Sequence, residues 1–429
     1  MGLLDGKRIL LGVGGGIAAY KSPELVRRLK DAGADVTVAL TAAGARFVSP
    51  LSLEVVSEHP VASDLWQPLS ASSTASTAST ASSGGLPTAA GLSRIAHTDL
   101  AKDSDLVILA PATADLIGKI RHGLADDLLT TTIMASRTPV LVCPAMNTEM
   151  LDNPLVAANL AALAALSRYH LLEPGVGLLA CGITGRGRQP DPPDIIEAAA
   201  AVLAPNDLAG LRITVSAGPT YEPIDPVRFL GNRSTGTMGF ALARAFAARG
   251  AAVTLVAGPV HLRTPVGIAR RLDIETAADM HDAIASTWPD TDVLVMTAAI
   301  ADFRPVNRHT HKLKKDASAP VTLPLERTTD VLAAMSQRPD RARVTLIGFA
   351  AETDDVIAYA QKKRAAKDLD WIIANDVSSP GVGFGPGDNA GWLIGRDDLP
   401  HTLDRAPKDR FADAIVSRLV PHLHLSGRP

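Results

Sequence analysis

Three residues in the first half of the chain have side chains suited to acid–base and thiol chemistry. His97 carries an imidazole that would serve as a base toward a carboxylate or thiol substrate, though a lone histidine is as readily structural. Cys181 lies in a glycine-rich run, 175–188, with Arg186 and Arg188 close behind it. Positive charge beside a thiol favours the thiolate, whereas without those neighbours the cysteine would be an ordinary small apolar residue. The run is long and flexible enough for a lid, and its two arginines suggest closure over an anion. Asn147 follows an apolar segment, 139–143, where its amide could bind an amide or carboxylate or simply cap a loop. Cys143, inside that segment, reads as core.

The second half offers a different set. Asp302 follows an apolar strand and its short end, 297–301, and the basic run His311, Lys312, Lys314 and Lys315 comes soon after. A basic run is usually a solvated face. Next to a strand-end carboxylate it also fits a triphosphate and its divalent metal. Lys363 and Lys367, four apart on a helix expected over 354–367, share a face and repel unless an anion joins them.

The elements that must position these groups begin at 8–13, an apolar and β-branched strand followed by Gly14, Gly15 and Gly16 and then a periodic helix. Such a turn presents backbone N–H groups and a helix N-terminus to an anion. Gly14-x-Gly16-x-x-Ala19 matches a dinucleotide fingerprint, but the strand 35–40 ends in Thr41 where that fingerprint needs a ribose-binding acid. Strands follow at 105–110, ending in Pro111, Ala112 and Thr113, and at 139–143. The pattern restarts at 211–216 with the turn 217–220, a helix at 240–249 and strands at 252–257, 292–297, 344–347 and 371–373. Alternating strands and helices predict α/β architecture: two doubly wound domains with mostly parallel sheets, 1–204 and 205–429. A tract of Ser, Ala and Thr, with a loop expected over about 68–91, cannot bury enough surface to order itself.

Composition narrows the class. The chain has 429 residues, 46% of them hydrophobic, and a net charge of −3, which gives no reason to expect nucleic acid or an acidic membrane as partner. Its two cysteines lie in no metal-binding spacing, no apolar run approaches the ~18 residues of a membrane span, and the first residues lack a signal-peptide core. A cytoplasmic protein is expected.

Taken together these segments resemble the bifunctional coenzyme A biosynthesis flavoproteins, in which a phosphopantothenoylcysteine decarboxylase is fused to a phosphopantothenate–cysteine ligase. The matching motifs run in order: Gly15-Gly-Ile-Ala-Ala-Tyr-Lys-Ser-Pro-Glu-Leu25, Leu106-Val-Ile-Leu-Ala-Pro-Ala-Thr-Ala-Asp-Leu-Ile117, Pro144-Ala-Met-Asn147 and Ala180-Cys-Gly182. In the second half they are Ala217-Gly-Pro-Thr220, Asn232-Arg-Ser234, Ala298-Ala-Ile-Ala-Asp302, Gly348-Phe-Ala-Ala-Glu352 and Ala374-Asn-Asp376.

The resemblance implies a flavodoxin-like first domain that binds FMN on Gly14, Gly15, Gly16, Ile17, Thr41 and the loop Ala110, Pro111, Ala112 and Thr113. His97 would act as base, Asn147 would hold the substrate's cysteine moiety, and Cys181 would be the acid in an oxidative decarboxylation followed by re-reduction to 4′-phosphopantetheine. The second domain, Rossmann-like, would join cysteine to 4′-phosphopantothenate with CTP and Mg2+ through an acyl-cytidylate. Asn232 would contact that adduct, Asp302 the nucleotide or Mg2+, and Lys312 the triphosphate. Met296, Thr297, Ala298, Val331, Leu332, Ala333, Ala334, Phe349, Lys363 and Lys367 would bind nucleotide or substrate, and Arg186 and Arg188 would serve the first site. A homo-oligomer of trimeric flavin domains and dimeric ligase domains is also implied. Thr237 stands where the family commonly has lysine, so the ligase site is expected to be one cation short. An active decarboxylase with an impaired ligase half, or a flavin- and nucleotide-binding regulator, are the competing readings.

Overall fold

A computed structural model describes residues 3–66, 96–180, 182, 184–314, 322–352, 355–376 and 387–423. Cys181, Lys315 and the Ser/Ala/Thr tract lie outside the described residues. The chain forms two compact units, Met1–Leu203 and Ala204–Pro429.

In the first unit, strands β1 (Arg8–Val13), β2 (Asp35–Leu40), β3 (Leu106–Ala112), β4 (Val140–Pro144) and β5 (Tyr169–Leu171) pair in parallel in the order β2-β1-β3-β4-β5. Every residue of β3 is buried, as expected for a central parallel strand covered by helices on both faces. Leu10, Val107, Leu109, Ile117, Leu129 and Ile133 are among the side chains of its core. This is the flavodoxin-like strand order, whose winding reverses between β1 and β3, and ligands of such sheets bind at the carboxyl ends beside that reversal.

Within the glycine-rich run expected to serve as a lid, the described residues on either side of its middle form a ribbon. Strands β6 (Gly175–Leu178) and β7 (Thr184–Arg188) pair antiparallel. The ribbon docks on the end of β4: Met146 N–H donates to the Gly187 carbonyl at 2.9 Å, and the Thr148 hydroxyl donates to the Arg186 carbonyl at 2.7 Å. Gly187 has φ +122°, and a Cβ there would stand 2.1 Å from the Met146 carbonyl oxygen. Only glycine permits that contact.

In the second unit, β8 (Arg212–Ala217) leads into a hairpin of β9 (Tyr221–Pro223) and β10 (Phe229–Gly231). Then come β11 (Ala252–Ala257), β12 (Arg270–Asp273), β13 (Val293–Met296), a second hairpin of β14 (Phe303–Pro305) and β15 (Leu325–Arg327), β16 (Thr345–Glu352), β17 (Trp371–Asp376), β18 (Asp388–Ile394) and β19 (Pro400–Pro407). The main sheet runs β12-β11-β8-β13-β16-β17-β18-β19. Its first six strands are parallel in the Rossmann order, and β18 and β19 extend it antiparallel. Neither β12 nor the β18–β19 extension stands out in the sequence. Arg270-Arg-Leu-Asp273 is polar, and β19 begins and ends with proline, which an edge strand tolerates.

A Cβ on Gly15 would fall 2.2 Å from Ala43 Cβ and 2.9 Å from the Ala43 carbonyl carbon, backbone that cannot move aside. Gly15→Ala is therefore expected to cost about 1–3 kcal/mol by overpacking, read as a lower urea midpoint. Gly177→Ala, whose Cβ would meet only the Arg188 side chain at 3.6 Å, serves as the neutral control. Equal midpoints for the two variants would remove this close approach as a structural constraint.

Candidate active sites

At the carboxyl edge of the first sheet, the turn after β1 is folded against the end of β3. Gly14 N–H donates to the Pro111 carbonyl at 3.2 Å and Gly16 N–H to the Gly14 carbonyl at 3.1 Å. Those two amides are spent inside the protein, so Gly14 and Gly16 give the turn its shape. A short helical turn, Ile17–Lys21, begins next, and its first N–H groups have no partner within the turn. The Thr41 hydroxyl is likewise engaged, donating to Val13 at 3.0 Å and accepting from Gly44 N–H at 3.0 Å. Thr113 closes β3 and caps helix Ala114–His122 by accepting from Leu116 N–H at 3.3 Å.

The polar groups around this edge are unevenly joined. Asn147 caps the short helix Thr148–Leu151, its Oδ1 accepting from Glu149 N–H at 2.8 Å, and it adjoins the ribbon whose connection carries Cys181. His97 sits in the first turn of helix Ala96–Lys102, half-buried, with Nδ1 shielded and without a hydrogen-bond partner. The far end of that helix meets Thr138, just ahead of β4, so its first turn is directed away from the amino edge of the sheet. Among the described residues His97 does not bond to the Asn147 network. Cys143 is fully buried in β4, and burial pushes its thiol far up, which leaves it unreactive.

Arg186 pairs with Glu173 at 3.3 Å and Arg188 with Asp191 at 2.8 Å. Sequence reasoning passed over Lys21, whose pKa is lowered by partial burial and then by the charge of Arg188, against the opposing effect of Asp191. Lys21 therefore adds a half-buried cation next to the glycine turn.

The second unit holds a cavity of about 770 Å3 beside the reversal between β8 and β13. Of the residues singled out by sequence, Asn232, Met296, Thr297, Ala298, Asp302, Val331, Leu332, Phe349, Lys363 and Lys367 line it. Ser216 organises the floor: its hydroxyl accepts from Thr297 N–H at 3.1 Å and Ala298 N–H at 3.2 Å, while the Thr297 hydroxyl donates to its carbonyl at 2.5 Å. Asn232 donates to the Ile300 carbonyl at 2.9 Å, which fixes its amide at the wall. Lys363 donates to the Phe349 carbonyl at 2.8 Å, and Lys367 pairs with Asp330 at 2.7 Å.

Ala333 and Ala334 do not line the cavity; they lie in helix Val331–Ser336, whose N-cap Asp330 accepts from Ala333 N–H at 3.0 Å. Lys312 also stands outside its lining, on an exposed loop. That loop is tied down by Asp225, which accepts from Leu313 N–H at 3.1 Å, and by Arg228, which donates to the Leu313 carbonyl at 2.5 Å. Desolvation would raise the Asp225 pKa, but N–H groups of Val227, Leu313 and Arg228 hold it below the usual carboxylate range.

The helix start that reaches this cavity is not at the turn where the sequence suggested a phosphate-type cradle. The turn at Ala217–Thr220 leads into a hairpin rather than a helix. The helix that opens into the cavity is Thr237–Ala248, preceded by Gly236 at φ +75° and by Ser234 and Thr235. Hydroxyl residues and a glycine before an apolar-periodic segment are a helix-start signal that could have found it. The Thr237 hydroxyl is 2.8 Å from that of Thr235. Asn375, of the motif Ala374-Asn-Asp376, also lines the cavity, as do Thr328, Asp330, Asn389 and Lys408, which the sequence left unmarked. Among the described residues no three His, Cys, Asp or Glu side chains gather as a metal site. Asp302 with phosphate oxygens of a substrate is nonetheless a donor set that suits Mg2+.

Two parallel α/β units, each with polar loops converging at its winding reversal, define a two-site enzyme of the nucleotide-binding class. The sequence pattern of the flavoprotein family matches residues 2–204, and that of the DNA/pantothenate metabolism flavoprotein C-terminal domain matches 208–422. Over 422 residues the chain is 45% identical to the coenzyme A biosynthesis bifunctional protein CoaBC of Escherichia coli (strain K12), covering 97% of this chain and 98% of that protein. The CoaBC of Bacillus subtilis (strain 168) is 42% identical over 398 residues, 92% of each. A crystal structure of the C-terminal domain of a CoaBC protein is 36% identical, covering 51% of this chain and 98% of its own, with a TM-score of 0.43. The chain belongs to the family of coenzyme A biosynthesis bifunctional proteins.

The Asp330–Lys367 pair gives a pH test. Desolvation opposes ionisation of Asp330, but the Lys367 hydrogen bond and the Ala333 N–H together hold its pKa below the ordinary value. A depressed carboxylate stabilises the fold above its unfolded pKa of ~3.9 and loses that contribution as pH falls through the folded value. Asp330→Asn keeps the cap and removes the charge, so near neutral pH it should cost about 0.5–1 kcal/mol. The gap to wild type should close below about pH 4, followed as thermal midpoints across that range. A gap independent of pH would show that the pair contributes nothing electrostatic.

Proposed function

We propose that the second unit condenses 4′-phosphopantothenate with cysteine at the expense of CTP, and that the first unit decarboxylates the product to 4′-phosphopantetheine. The observation that carries the reading is the second unit's cavity. There a helix N-terminus, Lys363 and Lys367 face the strand-end segment Thr297, Ala298 and Asp302.

The substrate carboxylate attacks the α-phosphorus of CTP, giving the acyl-cytidylate and releasing pyrophosphate. The cysteine amine then attacks the acyl carbon, forming the amide and releasing CMP. Backbone N–H groups at the start of helix Thr237–Ala248 and the two lysines oppose the charge that grows on the departing pyrophosphate. Asn232, at the wall, would hold the adduct, and Asp302 would hold Mg2+ with the phosphates. Phe349 and the segment from Met296 supply the apolar side of the nucleotide pocket.

In the first unit the turn Gly14–Ile17, Thr41 and the loop Ala110–Thr113 would hold FMN. The open N–H groups at Ile17 and the cation of Lys21 suit a phosphate, and the switch point suits a mononucleotide. Bound there, FMN supplies the electron sink that loss of CO2 requires. His97 takes or holds a proton at its imidazole, Asn147 binds the substrate's cysteine moiety, and Cys181 returns a proton to the decarboxylated thiol product. Arg186 and Arg188 keep an anionic substrate beneath the ribbon.

The proposal extends to a cytoplasmic homo-oligomer. Ile17, Tyr20, Leu51 and Val55, between 56% and 69% exposed, leave apolar surface on the first unit for association.

Pyrophosphate should appear only when phosphopantothenate, CTP and Mg2+ are supplied together, measured by a coupled phosphate assay. No release in the complete mixture would leave the impaired-ligase reading standing. Cys181→Ser should still release CO2 but accumulate the unsaturated thiol product, identified by mass spectrometry. Full conversion to 4′-phosphopantetheine by that variant would take Cys181 out of the chemistry.

A further inference from the structure

Two buried amides line the second unit's cavity with no donor for their oxygens. Asn389 is 2% exposed and Asn375 9%, and the Oδ1 of each is shielded and accepts no hydrogen bond. A buried carbonyl oxygen left in that state is costly. The Asn389 Nδ2 donates to Met238 Sδ at 3.2 Å. Sulfur is a weak acceptor, so this contact holds the amide lightly, and the broad terminal torsion of asparagine lets the oxygen turn toward a ligand.

Sheet register brings the two amides together. Asn375 in β17 stands opposite Gly391 in β18, and Asn389 lies two residues before Gly391. Side chains two apart on a strand share a face, so the amides are diagonal neighbours, and Gly391 has no side chain to stand between them. Ile373 and Leu393, further along the same face, enter the core beneath helices Thr237–Ala248 and Lys408–Leu419 with Phe246 and Phe411. Ile372 and Ala374 point the other way. Met296, Val331 and Leu332, assigned to the nucleotide, belong to that opposite core, as does Ala360 of the helix Val356–Ala366 that carries Lys363. The amides therefore reach the cavity from the face of the helix start, where Met238 stands, and those nucleotide contacts reach it from the other.

Neighbouring acceptors are best met by one group with two donors. A hydroxyl offers one, and phosphates and carboxylates offer acceptors. A primary amine gives an N–H to each oxygen and keeps its lone pair free. The cysteine α-amine and the cytosine amino group both have that chemistry, and the separation from Met296 and Lys363 favours cysteine. We propose that Asn375 and Asn389 bind the α-amine of cysteine and present it to the acyl carbon. This assignment rests on the ligase reading of the cavity. The ammonium proton is lost to water first; the C–N bond then forms, the bond from the acyl carbon to the CMP oxygen breaks, and one amine proton leaves with the CMP phosphate. Neutral amide oxygens suit that order, because a carboxylate in their place would hold the amine protonated.

The test is ligase kinetics of the full chain with Asn375→Leu and Asn389→Leu, which keep the side-chain shape and remove the oxygen. The KM for cysteine, followed by CMP release, should rise roughly ten- to a hundred-fold in each, while the KM for CTP stays within about twofold. Without cysteine, the burst of pyrophosphate from acyl-cytidylate formation should keep its amplitude, which shows the site folded. A lost burst, or equal rises for cysteine and CTP, would make the amides structural and overturn the assignment. A KM that rises for CTP alone, with UTP then used as well as CTP, would give the oxygens to the cytosine amine and overturn it likewise. Unchanged constants for both substrates would also overturn it. A wild-type chain with neither a burst nor cysteine-dependent CMP would overturn the ligase reading and the assignment with it.

Discussion

A Cβ built on Gly15 would lie 2.2 Å from Ala43 Cβ, one on Gly187 2.1 Å from the Met146 carbonyl oxygen, and one on Gly239 2.5 Å from Ala217 Cβ. All three approaches occur at the carboxyl edges of parallel sheets, where successive loops must close on one another without a strand ladder to guide them. In each case the glycine makes room for neighbouring protein. The glycine turn after β1 shows the consequence most clearly. Its Gly14 amide bonds to the end of β3 and its Gly16 amide to the turn itself, so the open N–H groups are those that begin at Ile17.

That close-packed edge is also where the charges are held. Lys367 is engaged by Asp330, Lys363 by the Phe349 carbonyl, and Arg188 by Asp191. Each pair is worth little to stability because both partners keep access to water. A phosphate bound as proposed would offer a stronger, charge-assisted partner and would exchange one hydrogen-bonded arrangement for another instead of desolvating a bare cation.

The two units use the same device with different results. Both carry a winding reversal beside their first strand, and both place polar loops around it. In the first, a ribbon docks on the segment after β4. In the second, two hairpins and an antiparallel extension widen the edge into a cavity of about 770 Å3.

The sequence by itself determined the parallel cores, because β1, β3, β8, β11 and β13 are apolar, β-branched runs that only burial on both faces can satisfy. It marked part of the cavity's lining as well, since Thr297 and Asp302 lie just beyond such a run, where ligands bind, and the family resemblance added Phe349. Tertiary structure decided the rest. Polar β12 and proline-bounded β19 become strands only because an exposed sheet edge accepts them. The run at 175–188 becomes a ribbon because the turn after β4 offers it hydrogen bonds. Asn389 and Lys408, 19 positions apart, share a cavity because β18 and β19 fold back on each other, and no local pattern of residue types encodes that pairing.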